Sequence, residues 1–491
     1  MKRRPDVTGW GGAAAALAVV IATGAVAAPP RGLATNAWNL ERVVLRDGRR
    51  LEGLVIDAAP AAGDMPGEIR FAQVVRPPGR PMYVITWGPL PADALAAVDR
   101  LPPAEHDVLA ARVKAFLESR HRRGDAETAI RLTRDDEDAP WRYETDDFAV
   151  TSTADASTTR AAIVGLEQVF GGLRTLVPAP RSAPRQPIQV RLCGSAAEYR
   201  EAQRGLGIRI DNPAFYVPAR RLLVAGGDVS AIVADTEAVE DGLAATDQKY
   251  EALDRLLDDR LKALVADLEA QGFPAGQRAE IVQLARQRWD RERAGEVARV
   301  AAARRDNAAR RDRALATFRQ RLAHEAWHAY ADAILRPEAA AGLPVWLDEG
   351  LAQVIESAPL EAGELRLDAP DPKRLAALQE AIRAGTLPRV GDLLRCGQEG
   401  FLAGHAAEAD RGLVYLAAWG VALDLAMLRP VLSPAGLADV TAAGDDSLPA
   451  FERLTGEPVE RYDDGWRNRM LELRPGRPVA AGDAAPVTPG P

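Results

Sequence analysis

Cysteine and histidine are scarce in this chain, and each scarcity narrows what it can be. Two cysteines in 491 residues, Cys193 and Cys396, are too few for a disulfide scaffold. They can pair in an oxidising compartment or stand apart as buried thiols. Beyond the first 27 residues no stretch approaches the apolar length that spans a bilayer, which predicts a mature protein without a membrane span. A net charge of −8 argues against a general nucleic-acid binder. There is no P-loop, no dinucleotide-binding glycine pattern and no nucleophile elbow, which removes several enzyme classes. What remains is an ordinary globular composition, 47% hydrophobic and 27% charged, with room for two or three domains.

The five histidines are not scattered evenly. Two of them occur in His324-Glu325-Ala326-Trp327-His328. Chance placement of that pattern is expected on the order of 0.003 times in a chain of this length. Histidines at i and i+4 lie on one helix face, so both imidazoles can reach a single Zn²⁺. The glutamate between them projects from the neighbouring face, within reach of a water at the metal. From Leu322 to Leu335 the only charged residues are Glu325 and Asp332, and apolar residues occupy every face. Such a helix is buried, and a carboxylate with two imidazoles on it needs a partner, which a metal supplies. A third ligand is required, and Glu349 in Trp346-Leu347-Asp348-Glu349-Gly350 is the candidate on the next predicted helix, Trp346–Glu356.

These two motifs resemble those of the gluzincin zinc metallopeptidases, the thermolysin and aminopeptidase N group. The form from Leu343 to Gly350 is closest to small bacterial peptidase-like members, and the resemblance covers roughly residues 140–472. It implies an α+β fold, mainly helical with a small mixed sheet. It also implies that His324, His328 and Glu349 hold Zn²⁺ and that Glu325 is the general base for a zinc-activated water attacking a peptide bond. The group uses a Tyr or His from a later helix to stabilise the oxyanion, which points to Tyr415, with His405 as the second candidate. Partners for the outward ring nitrogens of the histidines are expected among Asp348, Gln353 and Asp332. The strand before the active helix forms the cleft edge in this group. That implies peptide recognition by β-augmentation along Ala214–Val217, which is joined through Pro218-Ala219-Arg220 to Arg221–Ala225.

The rest of the chain frames this centre. Lys2-Arg3-Arg4, the apolar run Ala13–Ala22 and Ala25-Val26-Ala27 read as a cleaved signal peptide over 1–27, hence an extracytoplasmic protein, with an uncleaved membrane anchor as the alternative. Residues 36–90 read as a small SH3-like β-barrel, followed by helix from Pro91 to Arg120 and a linker to 139. Residues 141–473 form the peptidase-like domain. Within it, 240–312 read as a helical hairpin with ten arginines against five acids between Arg286 and Arg313. That count suits a solvated helix face better than a basic patch for anionic polymers. Helices are expected at 372–384 and 409–429, two more between Leu448 and Leu473, and a disordered tail over 475–491. The expectation is an exported zinc peptidase acting on peptides or proteins. The alternative is a peptide- or envelope-binding protein that keeps a zinc site without strong catalysis.

Overall fold

A computed structural model describes residues 38–59, 68–119, 121–178, 186–210, 212–227, 229–335, 342–397, 401, 411–443 and 447–474. Residues 1–27, read above as a signal peptide, His405 and the tail from 475 lie outside the described residues. Leu40 onward forms one compact unit. Its class is α+β, as expected.

Five strands open the unit: β1 (Glu41–Leu45), β2 (Arg50–Ala59), β3 (Glu68–Val75), β4 (Tyr83–Pro91) and β5 (Leu95–Asp99). Alternating buried apolar residues such as Val43, Leu45, Val55, Phe71 and Ile85 make one face of this sheet. The predicted barrel does not close. The sheet runs β11-β12-β4-β3-β2-β1-β5, where β11 (Leu360–Glu361) and β12 (Glu364–Arg366) come from much later in the chain. β12 pairs in parallel with β4, Leu365 opposite Ile85, so the strands at both ends remain edges. The stretch from Pro91 to Asp99, expected to be helical, instead completes the sheet through β5. Val98 pairs with Val43 of β1, and a waiting strand overrides the helical propensity of an Ala-rich segment.

Helices α1 (Pro103–Glu118) and α2 (Arg122–Ala129) lead to a second sheet of order β6-β7-β8-β10-β9. Its strands are β6 (Trp141–Glu144), β7 (Phe148–Ser152), β8 (Ile188–Leu192), β9 (Ala214–Val217) and β10 (Leu222–Ala225). β7, β8 and β10 are parallel, and the hairpin partner β9 lies at the edge. Helix α3 (Ala156–Leu176), capped by Asp155 accepting from the Thr158 N–H, packs on one face of the sheet. Helix α4 (Ala196–Leu206) covers the other, with Tyr199 against Phe215.

The hairpin is α5 (Val229–Ala270) and α6 (Ala275–Tyr330), turned at Gly272 with φ +80°. At about 1.5 Å per residue, α6 is about 84 Å long, and its last turns carry the HExxH motif. Leu268 and Val300 are buried along the seam, whose arginines pair with acids of the other helix. Arg293 reaches Asp254 at 3.1 Å, Arg304 reaches Glu240 at 2.8 Å and Asp247 at 2.9 Å, and Arg310 reaches Asp235 at 3.2 Å. Such exposed pairs contribute about 0.2–1 kcal/mol each, so they set register more than stability. Much of the arginine excess is thus matched inside the hairpin.

A π-helical turn (Ala331–Leu335) ends α6, and α7 (Val345–Ser357) crosses beside it. The remaining body is α8 (Pro372–Ala384), α9 (Val390–Leu394), α10 (Arg411–Leu423), α11 (Pro434–Ala443), α12 (Leu448–Thr455) and α13 (Val459–Glu472). Trp346, Trp419 and Trp466 are fully buried there, and their indole N–H groups donate to Ser447, Ser357 and the Gly420 carbonyl. No described helix is long and apolar enough to cross a membrane. Both cysteines are free.

Candidate metal centre

The centre is made where α6 and α7 cross. Gly350 makes the neighbouring packing possible, because a Cβ there would lie 2.5 Å from the Ala418 carbonyl oxygen of α10. That close approach anchors the turn of α7 that carries Asp348 and Glu349. On α6, Ala326 and Trp327 face the core while His324 and His328 look toward α7.

His324, His328 and Glu349 come together, one ligand atom from each lying within 4.8 Å of the others. The two Nε2 atoms are 3.2 Å apart, and Glu349 oxygens lie 3.8 Å from His324 Nε2 and 3.7 Å from His328 Nε2. Ligands placed tetrahedrally at 2.0–2.1 Å from zinc would be about 3.3–3.4 Å apart, so these residues fit such an ion with little movement. The three side chains keep 14%, 18% and 27% of their surface, so the centre is reachable from solvent.

The far ring nitrogens strengthen the fit. His324 Nδ1 is 3.1 Å from Glu356 Oε2, and His328 Nδ1 is 3.2 Å from Asp348 Oδ2. With each Nδ1 held by a carboxylate, the two Nε2 atoms are turned toward one point, where either a proton or a metal cation can sit between them. Trp327 completes one arm, since its indole N–H donates to the other Asp348 oxygen at 2.8 Å. Burial opposes charging of His328, but Asp348, then Glu349 and Glu325, outweigh it and raise its pKa to about 9. Burial likewise opposes ionisation of Glu356, yet His324, Arg321 and Arg374 hold its carboxyl below the usual range.

Of the three expected partners for the ring nitrogens, the structure joins only Asp348 to a histidine. Gln353 accepts from Arg374 at 2.7 Å, and Asp332 accepts from the Tyr216 phenol at 2.7 Å. Glu356 takes the place expected of Gln353. It lies seven residues beyond Glu349, two turns along the same face of α7, and that spacing was the signal that could have found it.

Glu325 stands beside the centre. Burial raises its pKa, opposed by both histidines and by the Tyr216 backbone N–H, which donates to Oε2 at 2.9 Å. Because that N–H points away from β10, the outer rim of β9 faces Glu325. Tyr415 of α10 packs edge-to-face on Phe401 with centroids 5.2 Å apart. Burial first, and then the charge of Glu349, raise its pKa, so its hydroxyl stays a donor at neutral pH and lies within electrical reach of the ligand set.

No family model matches this chain, and neither the curated proteins nor the solved structures contain a match to it. The functional reading therefore stands on the geometry above and on the two motifs.

Proposed function

We propose that this chain is a zinc-dependent peptidase of the gluzincin kind, with His324, His328 and Glu349 as the metal ligands. One observation carries the reading: two histidines held from behind by Asp348 and Glu356 aim their free nitrogens, together with a Glu349 carboxylate, at one point beside Glu325. Imidazole and carboxylate donors in this number suit zinc, which when bound supplies positive charge to polarise a carbonyl and acidify water. Glu325, kept partly dry by burial, takes the proton of the attacking water at its carboxylate and returns it to the leaving amine. Tyr415 donates its hydroxyl toward the oxygen that gains charge. The outer rim of β9, beside Glu325, offers backbone groups to an extended peptide. The charged, apolar and Ala-x-Ala segments at the N-terminus support export of the enzyme.

Metal analysis of the purified protein, followed by digestion of a mixed peptide set with and without a chelator, tests this. Chelator-sensitive cleavage at one zinc per chain supports the peptidase. Zinc without cleavage supports the alternative, a peptide- or envelope-binding protein that retains the metal site.

A further inference from the structure

The chain carries a net charge of −8, yet residues 186–227, which bring β9 to the metal centre, hold six arginines against three acids and no lysine. Glu198 is already committed to Arg191 at 3.0 Å. Arg200, Arg204, Arg209 and Arg220 are all exposed, and none forms an ion pair with another described residue. Six arginines against three acids, one of them already paired with Arg191, give this stretch a net positive charge in a chain that is acidic as a whole.

Its placement relative to β9 is what matters. Arg209 lies five residues before Ala214, in a segment fixed from α4: the Tyr199 hydroxyl donates to the Asn212 carbonyl at 2.6 Å and Gln203 Nε2 donates to the Ile210 carbonyl at 2.8 Å. Arg220 sits in the turn that follows Val217, against a surface cavity of about 230 Å³ that Arg191 and Glu201 also line. The two guanidinium-bearing residues therefore bracket an edge strand about 13 Å long. The rim of that strand away from β10 is turned toward Glu325, which accepts from the Tyr216 N–H.

We propose that this basic lip selects extended peptides carrying acidic side chains on both sides of the segment that lies along β9. The proposal rests on the peptidase reading for what happens to the peptide, but not for whether it binds. Fixed positive charge beside a cleft raises the local concentration of anionic ligands and their rate of capture, and salt weakens the effect. Backbone pairing along β9 is indifferent to sequence, so the arginines at its ends are the groups able to distinguish one peptide from another.

The test compares a fluorescein-labelled peptide with Glu and Asp at both ends against its Gln and Asn counterpart, using zinc-loaded protein. Both cleavage and anisotropy-detected binding are read at low and at high salt. The lip predicts binding of the acidic peptide about 10-fold tighter at low salt, shrinking to about 2-fold or less near 0.5 M. Arg209→Gln with Arg220→Gln should remove the difference between the two peptides. Equal binding of both peptides by the wild-type protein, or a preference that survives the double substitution, would overturn the lip. Cleavage of both peptides at equal rates with equal binding would overturn it while leaving the peptidase reading standing. Arginine-dependent binding of the acidic peptide without cleavage would support the lip and remove the peptidase.

Discussion

The backbone N–H of Tyr216 donates to the carboxylate of Glu325 across 2.9 Å, joining residues 109 positions apart. The same tyrosine's hydroxyl donates to Asp332, seven residues past Glu325 and two turns further along the same helical rod. One residue of the edge strand is thereby fastened to both ends of the motif helix. The base and the strand that would present a peptide to it are held as a unit.

That clamp can be loosened one bond at a time. Tyr216→Phe keeps the backbone contact to Glu325 but leaves Asp332 without its phenol donor, which costs about 1–3 kcal/mol for a poorly hydrated carboxylate. A lowered denaturant midpoint with unchanged zinc content is expected. Asp332→Asn, which still offers an acceptor oxygen, should lose much less. Unchanged stability in Tyr216→Phe would show that Asp332 is satisfied by solvent instead.

Glu356 provides a second handle. Its carboxylate faces His324 Nδ1 and no proposed ligand atom, so Glu356→Ala should leave the ligand set complete and weaken zinc affinity about 10–100-fold. Gln353→Ala removes only a partner of Arg374 and should leave zinc affinity close to wild type. Competition titration with a zinc-binding dye measures both. Equal losses in the two variants would remove the distinction drawn between these neighbours.

The α5–α6 hairpin buries Leu268 and Val300 along its own seam and has its own cross-helix ion pairs, whereas Val233 at its base joins the core of the main body. Replacing residues 244–303 with a short flexible loop keeps the Asn307–Thr236 and Arg311–Ser157 hydrogen bonds at its base. Zinc content should stay near that of the full chain. Loss of metal in the shortened protein would show that the hairpin holds the end of α6 in place.

The parts of this structure that the sequence made legible are those written in local pattern. The i, i+4 histidines, the Trp346–Glu349 motif, the paired long helices and the β9–β10 hairpin all follow from spacing and turn residues. The misreadings come from partners far away in the chain. Leu95–Asp99 is a strand because β1 offers it an edge, and the sheet stays open because β12 arrives from beyond residue 360 to extend it. Glu356 was missed because only the crossing of α6 and α7 shows which residue of α7 meets His324. The tie from Trp327 to Asp348 has no signature in spacing at all.

Cys193 gives a pH-dependent check on the smaller core under α4. Burial, with a contribution from Glu198 and against Arg191, raises its thiol to about 11, whereas an unfolded thiol titrates near 8.5. The folded state therefore gains from this group below pH 8.5 and loses that advantage as the pH climbs toward 11. Alkylation of Cys193 in the native protein at pH 8 should run about 10²-fold slower than in denaturant. Native reactivity equal to the denatured rate would mean that the thiol is neither buried nor shifted.

Zinc counted per chain in three proteins tests the central claim most directly. His324, His328 and Glu349 are assigned as ligands, while Glu325 is assigned to proton transfer only. Wild type and Glu325→Gln should each carry about one zinc, with cleavage in Glu325→Gln reduced by several orders of magnitude. Glu349→Ala should bind zinc weakly and unfold at lower temperature, since metal binding is linked to folding. Zinc lost from Glu325→Gln but retained by Glu349→Ala would contradict the assignment.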